Sequence, residues 1–306
     1  MSRNAAHIFT ARYPTKRAFI TGAASGLGYA LCRELSADGW TIGMADINAV
    51  ELELKATEIV QIGGVANIYL LDVADKYAYR TVVDDFINRH GGIDLLVNNA
   101  GVGDAGRVDE YGLENWDWLL RINLNGVIYG SALFIRIMRA QGKGTIINIA
   151  SAAAFTSLPR MGAYNVSKAA VLSLSETMSA ELHGHGIHVS VVMPTFFKTN
   201  VMSNSRGSEE DIEMSRLIFA TTSKTPEHIA SMVLRQAGEG KFHIILNWDA
   251  HLMYRLKRYF PRLILWLFQK GEHHRDIMGD RLKNRYKRMD SQGKVDHDYL
   301  KRVFDK

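Results

Sequence analysis

Over residues 16–246, short apolar runs alternate with amphipathic stretches, and this rhythm limits the fold more than anything else in the chain. The runs are KRAFIT, TIGMAD, ANIYLLDV, IDLLVNNAG, GTIINIAS, IHVSVVMPT and FHIIL. Each reads as a strand, and Ala18, Phe19 and Ile20 of the first suit one buried on both faces. Helical patterns lie between them, at about 49–62, 76–89, 113–141, 162–183 and 226–239. A further helix, YALCRELSADG, follows the first run and stops at Gly39. Such alternation implies parallel strands joined by crossover helices: an α/β, doubly wound sheet of about seven strands, helices on both faces. Ligands bind at the carboxyl ends of the strands in sheets of this kind. Gly22, Asp46, Asp72, Asn99, Ser151 and Pro194 fall at those ends.

The turn after the first strand reads T-G-x-x-x-G-x-G, from Thr21 to Gly28. Small residues there let the backbone approach a pyrophosphate at a helix N-terminus, where free N–H groups and the helix dipole favour negative charge. Asp46 ends the second strand, where a carboxylate can accept hydrogen bonds from the adenosine ribose hydroxyls. A 2′-phosphate would meet a like charge at Asp46, and neither Ser25 nor Ile47 is basic. The expected dinucleotide is therefore NAD, with NADP disfavoured.

Tyr164 and Lys168 stand four apart in a helical pattern, so phenol and ammonium share one face. A neighbouring positive charge favours the phenolate and draws the tyrosine down from its ordinary value near 10. A tyrosine so placed can move protons at neutral pH.

Taken together, these residues resemble the short-chain dehydrogenase/reductase family in its NAD-linked branch. The resemblance covers about residues 16–246 and rests on the Thr21–Gly28 turn, Asp72-Val73, Asn98-Asn99-Ala100-Gly101, Asn123 in RINLNG, Ser151, and Tyr164-x-x-x-Lys168. It implies a Rossmann-type fold in which Gly22, Ser25, Gly26, Leu27 and Gly28 hold the dinucleotide with Asp46 and Ile47. Asp72 and Val73 would meet the adenine, and Asn99, Ala100 and Gly101 would line the cleft. Asn123, Ser151, Tyr164 and Lys168 would form the catalytic set, with Lys168 also holding the nicotinamide ribose. Tyr164 would then exchange the substrate hydroxyl proton, Ser151 would bond the substrate oxygen, and Asn123 would position a water relaying protons from Lys168. The family often has Pro-Gly after the sixth strand where this chain has Pro194-Thr195; that loop, with Thr199, would contact the nicotinamide carboxamide. A homodimer or homotetramer is also implied.

Other function classes fit less well. Residues 1–250 carry 22 Lys and Arg against 25 Asp and Glu, so the body offers no basic surface for nucleic acid. The net charge of +5 comes from residues 251–306, with 15 against 7. Cys32 is the sole cysteine, no apolar leader opens the chain, and the LILWLF run is too short to span a bilayer; a cytoplasmic setting is expected. His183, His185 and His188 lack a carboxylate or thiol to complete a metal set, so no metal is expected. Residues 1–15 read as a polar arm and 195–223 as a polar substrate loop with few apolar anchors. The body, 1–250, is read as one domain, and 251–306 as a basic, partly apolar helical extension, its charged end from Gly279 solvated or loosely helical. That extension has three readings: a cap on the cleft, an assembly surface, or a peripheral membrane contact. With Phe196, Phe197 and Met202 it suggests a hydrophobic alcohol or ketone, steroid-like, long-chain or aromatic. An NADPH-dependent ketone or acyl reductase is the second reading, and a dinucleotide sensor without turnover the third.

Overall fold

The computed structural model describes residues 7–304. Its strands are β1 (Arg17–Thr21), β2 (Thr41–Asp46), β3 (Val65–Leu70), β4 (Leu95–Asn98), β5 (Asp104–Ala105), β6 (Gly144–Ile149), β7 (Ile187–Val192), β8 (Arg206–Gly207) and β9 (His243–Ile244). Seven of them form one sheet in the order β3-β2-β1-β4-β6-β7-β9, with every neighbouring pair parallel. The order reverses between β1 and β4, which opens a crevice at their carboxyl ends. Two apolar layers explain the doubly apolar strands. Ile20, Ile42, Val97 and Ile147 pack on one face, while Phe19, Leu96, Phe134 and Ile146 pack on the other.

The crossover helices are α2 (Gly26–Ser36), α3 (Ala49–Gln61), α4 (Lys76–His90), α5 and α6 (Leu113–Leu120 and Gly126–Gln141), α8 (Gly162–Glu181) and α10 (Pro226–Gly238), with one short turn of helix, α7 (Ala153–Thr156), just before α8. Helices α5 and α6 run together through a π-helical turn, Arg121–Asn125. This 29-residue stretch, with a window of mean hydropathy 1.2, is long and apolar enough to cross a membrane by length and composition. It instead contributes Phe134 and Met138 to the core beneath the sheet.

Three expectations need correction. The N-terminal arm contains a helix, α1 (His7–Arg12), that packs on the body; residues 1–6 lie outside the described part. Phe9 and Tyr13, four apart, bury their rings edge-on against Trp40. The 195–223 segment is not an unanchored loop. It holds a 3-10 turn (Asn200–Met202), β8, and α9 (Glu209–Ala220), whose Ser208 cap accepts the Asp211 N–H at 3.2 Å. The acidic first turn of α9 masks the apolar Leu217, Phe219 and Ala220 of its last turn, all buried.

The C-terminal end is also more ordered than its charge suggests. After α11 (Trp248–Tyr259), α12 (Pro261–His273) and α13 (Arg275–Ser291), α14 (His297–Phe304) buries Tyr299, Leu300 and Val303. These join Val295, Met202 and Phe219 in one apolar cluster. Three apolar residues spaced by helical period are enough to dock a short helix despite its charged neighbours.

Candidate active site

A cleft of about 1490 Å³ runs along the carboxyl ends of β1, β2, β4, β6 and β7. At one end lies the glycine turn. Gly22 and Gly26 take the left-handed conformation, at φ 64° and 52°. A side chain at Gly28 would put its Cβ 2.0 Å from the Gly22 carbonyl oxygen, so the turn closes only with glycine there. Ser25 begins α2, and no side chain caps that helix. Its first N–H groups thus face the cleft without a protein acceptor, the arrangement a pyrophosphate needs. Asn99 braces the turn from β4, donating Nδ2 to the carbonyls of Thr21 (2.9 Å) and Gly22 (3.1 Å). Asp46 is placed by accepting the Ala24 and Asn48 N–H groups, both at 3.0 Å. These residues fit a dinucleotide.

In mid-cleft, Ser151 ends the β6 side and Tyr164 and Lys168 project from the first turns of α8. Lys168 is buried; Nζ donates to the Ile149 carbonyl at 2.9 Å and stands 5.6 Å from the centre of the Tyr164 ring. Burial lowers the Lys168 ammonium to about 8. Burial likewise pushes the Tyr164 phenol up to about 12; the Ser151 hydroxyl against it works the other way, and the Asp104 carboxylate adds to the rise. Lysine proximity alone therefore does not bring the phenol down as expected. Desolvation is the largest cause of both shifts.

Asn123 sits in the π-helical turn and is fully buried behind the cleft. Its amide clamps the Val102 main chain, accepting the N–H at 2.8 Å and donating to the carbonyl at 2.9 Å, and reaches Ser167 Oγ at 3.3 Å. The π turn supplies this orientation by inserting one extra residue into the helical ladder. Of the residues expected at the site, Asn123 and Gly28 stand behind the cleft wall. The others line it: Gly22, Ser25, Gly26, Leu27, Asp46, Ile47, Asp72, Val73, Asn99, Ala100, Gly101, Ser151, Tyr164, Lys168, Pro194, Thr195 and Thr199. Thr195 has a use that glycine could not serve, since its Oγ1 accepts Lys224 Nζ at 2.9 Å.

Residues 16–210 match the sequence profile described as short chain dehydrogenase. The chain belongs to the short chain dehydrogenase family. Among its relatives, the probable oxidoreductase EphD of Mycobacterium tuberculosis is 31% identical over 255 residues, 80% of this chain and 43% of that protein. This chain thus spans less than half of that relative's length. The 3-oxoacyl-[acyl-carrier-protein] reductase FabG of Thermotoga maritima is 30% identical over 233 residues, 76% of this chain and 94% of that one. A Burkholderia phymatum short chain dehydrogenase/reductase, solved in complex with NAD, superposes with a TM-score of 0.77 at 27% identity, covering 81% of this chain and 94% of that one.

Several residues around the cleft escaped sequence reasoning because long-range contacts alone give them meaning. The end of the cleft away from the glycine turn is walled by the C-terminal helices through Met253, Leu267, Phe268 and Gly271. Ionic contacts fasten this wall: Arg160 Nε donates to Glu272 Oε1 at 2.7 Å and Nη1 to Asp211 Oδ2 at 3.3 Å, while Arg275 also bonds Asp211. Strand β8 pairs with β5, and a Cβ at Gly207 would fall 1.6 Å from the Ala105 carbonyl oxygen. Arg206 lies over the Trp118 ring at 4.1 Å, pinning the segment to α5. Tyr299, 100 residues away in sequence, holds Thr199 twice, accepting its N–H at 3.0 Å and donating to its carbonyl at 2.9 Å.

Asp104 is the clearest omission. Nearly fully buried, it accepts the N–H groups of Ala163 (3.1 Å) and Tyr164 (3.2 Å), so it caps the catalytic helix from another strand. Burial pushes its carboxyl up to about 6 against the pull of those two bonds. Asp104→Asn keeps an accepting oxygen but removes the negative charge that helps to raise Tyr164. The acidic limb of the kcat/KM profile for alcohol oxidation is expected to move to lower pH in this variant. An unmoved limb would show that the carboxylate acts on α8 only as a cap.

Proposed function

We propose that this dehydrogenase is an NAD(H)-dependent oxidoreductase that interconverts a secondary alcohol and a ketone on a hydrophobic substrate. The observation that carries this reading is the convergence of Ser151, Tyr164 and Lys168 midway along a cleft that has Asp46 and the glycine turn at one end. Its other end is walled by apolar side chains, among them Met161, Phe219, Met253, Leu267 and Phe268. A bound dinucleotide would supply the hydride acceptor or donor and, when oxidised, a positive charge. Tyr164 takes the hydroxyl proton in oxidation and returns it in reduction. Ser151 donates a hydrogen bond to the substrate oxygen as charge develops on it. Lys168, fixed by the Ile149 carbonyl, holds positive charge beside the phenol and would hold the nicotinamide ribose. Asn123 holds the Val102 backbone in register with that lysine and serves a water-borne proton exit.

Asp46 supports NAD over NADP, because both its oxygens already accept N–H bonds and neither Ser25 nor Ile47 brings a positive charge. Likeness to an acyl-carrier reductase keeps a ketoacyl substrate as the second reading. The lone cysteine, Cys32, buried in α2, fits a cytoplasmic setting, and the family resemblance favours a homodimer or homotetramer. We also read 1–250 as the catalytic body and 251–306 as the extension that completes its substrate wall. The test is turnover of a panel of secondary alcohols and matching ketones with NAD and NADP side by side. NAD-linked activity is expected to exceed NADP-linked activity by about tenfold or more, as a like charge facing the 2′-phosphate requires. Lipophilic substrates should outrun small polyols. Preference for NADP, or for polyols, would overturn the corresponding half of the proposal.

A further inference from the structure

Helices α11 and α12 leave an unusual surface. Along α12 only Ile264 is buried. Leu265 and Trp266 are 54% and 51% exposed, Leu263 lies beside them, and Tyr259 and Phe260 at the joint with α11 are more exposed still. Large apolar side chains in such number are seldom left in water without a partner. The same stretch carries Arg255, Lys257, Arg258, Arg262 and Lys270, and residues 250–271 contain no Asp or Glu. Among the described residues none of these five cations joins an ion pair.

We propose that the α11–α12 face docks this protein on an anionic phospholipid bilayer. Exposed Trp and Leu side chains interleaved with Lys and Arg suit the boundary between headgroups and acyl chains, where apolar groups leave water and cations meet phosphates. The charge distribution sets the direction of approach. Residues 1–250 have a surplus of acidic groups, so an anionic surface attracts the C-terminal helices and repels the body. A second copy of the chain is a poorer occupant, because a two-fold contact through this face would oppose five cations to five. On its inner side α12 lines the cleft with Leu267 and Phe268, so one helix separates the substrate cavity from the docking face. Resting on the hydrophobic-substrate reading above, this placement lets a lipophilic alcohol or ketone pass between bilayer and cleft.

The test uses the full chain and reads binding without turnover, so its failure leaves the active-site reading untouched. Sedimentation is measured with phosphatidylcholine vesicles, plain or carrying about one third phosphatidylserine. The chain is expected to bind the anionic vesicles only and to be released as salt shortens the screening length from about 10 Å at 0.1 M to about 3 Å at 1 M. Removing two charges with Arg258→Gln and Arg262→Gln is expected to weaken binding by about 25-fold, near fivefold per charge. Trp266→Glu is expected to abolish it, with melting curves showing each variant folded. The proposal is overturned by no binding to anionic vesicles, by equal binding to plain ones, or by binding that these substitutions leave unchanged. Self-association that Trp266→Glu abolishes, without vesicle binding, would assign the face to a second copy instead.

Discussion

Tyr164→Phe is expected to lower turnover by about 100- to 10,000-fold, the range lost with a positioned acid–base group. The substitution removes one oxygen and leaves the ring in place, half-buried on the cleft wall in the first turn of α8. Lys168 keeps its bond to the Ile149 carbonyl, and the glycine turn and Asp46 lie elsewhere along the cleft. Dinucleotide affinity should therefore stay within a few-fold, as followed by NADH fluorescence. Loss of kcat with intact binding separates proton transfer from assembly of the site. Turnover near the parent rate would remove Tyr164 from the chemistry, and loss of NADH binding would show that the phenol serves the structure of the cleft.

A second substitution should improve the fold while ruining the enzyme. Lys168 titrates at about 8 in the folded chain and near 10.5 in its unperturbed form, with burial as the cause. A depressed folded value means that the lysine's contribution to stability is whole above 10.5 and is lost as pH falls through about 8. At pH 7 the charged ammonium therefore costs about 3 kcal/mol. Lys168→Met relieves that cost and forfeits roughly 1 kcal/mol from the Ile149 hydrogen bond, a net gain of about 2 kcal/mol. The melting temperature should rise at pH 7, meet the parent's near pH 10 and fall below it at higher pH, while turnover falls by about 100-fold or more. A destabilised variant at pH 7 would mean that the ammonium is better solvated than its burial implies.

The sheet was legible in the sequence because strands buried on both faces must be apolar throughout, and crossover helices must separate them. Most of the cleft was legible for a related reason: ligand groups gather where strands end, and their spacing follows the strand–helix period. Asp104 was not legible, since an acid two residues past Val102 acquires its role only when β5 lies against the start of α8. The last helix was misread because Tyr299, Leu300 and Val303 are three apolar positions among charges, and their partners Met202 and Phe219 are about 80–100 residues away. The state of Tyr164 was misjudged because spacing reports neighbours but not the water that burial removes.

The pair of hydrogen bonds between Tyr299 and Thr199 ties the end of the chain to the segment bordering the dinucleotide turn, where Thr199 Oγ1 lies 3.5 Å from a Cβ placed at Gly26. Opening that segment either breaks both bonds or carries α14 with it. Thermodynamic reciprocity then makes the two ends of the molecule correspondents: whatever tightens the grip on dinucleotide also secures α14, and whatever lifts α14 loosens that grip by the same factor.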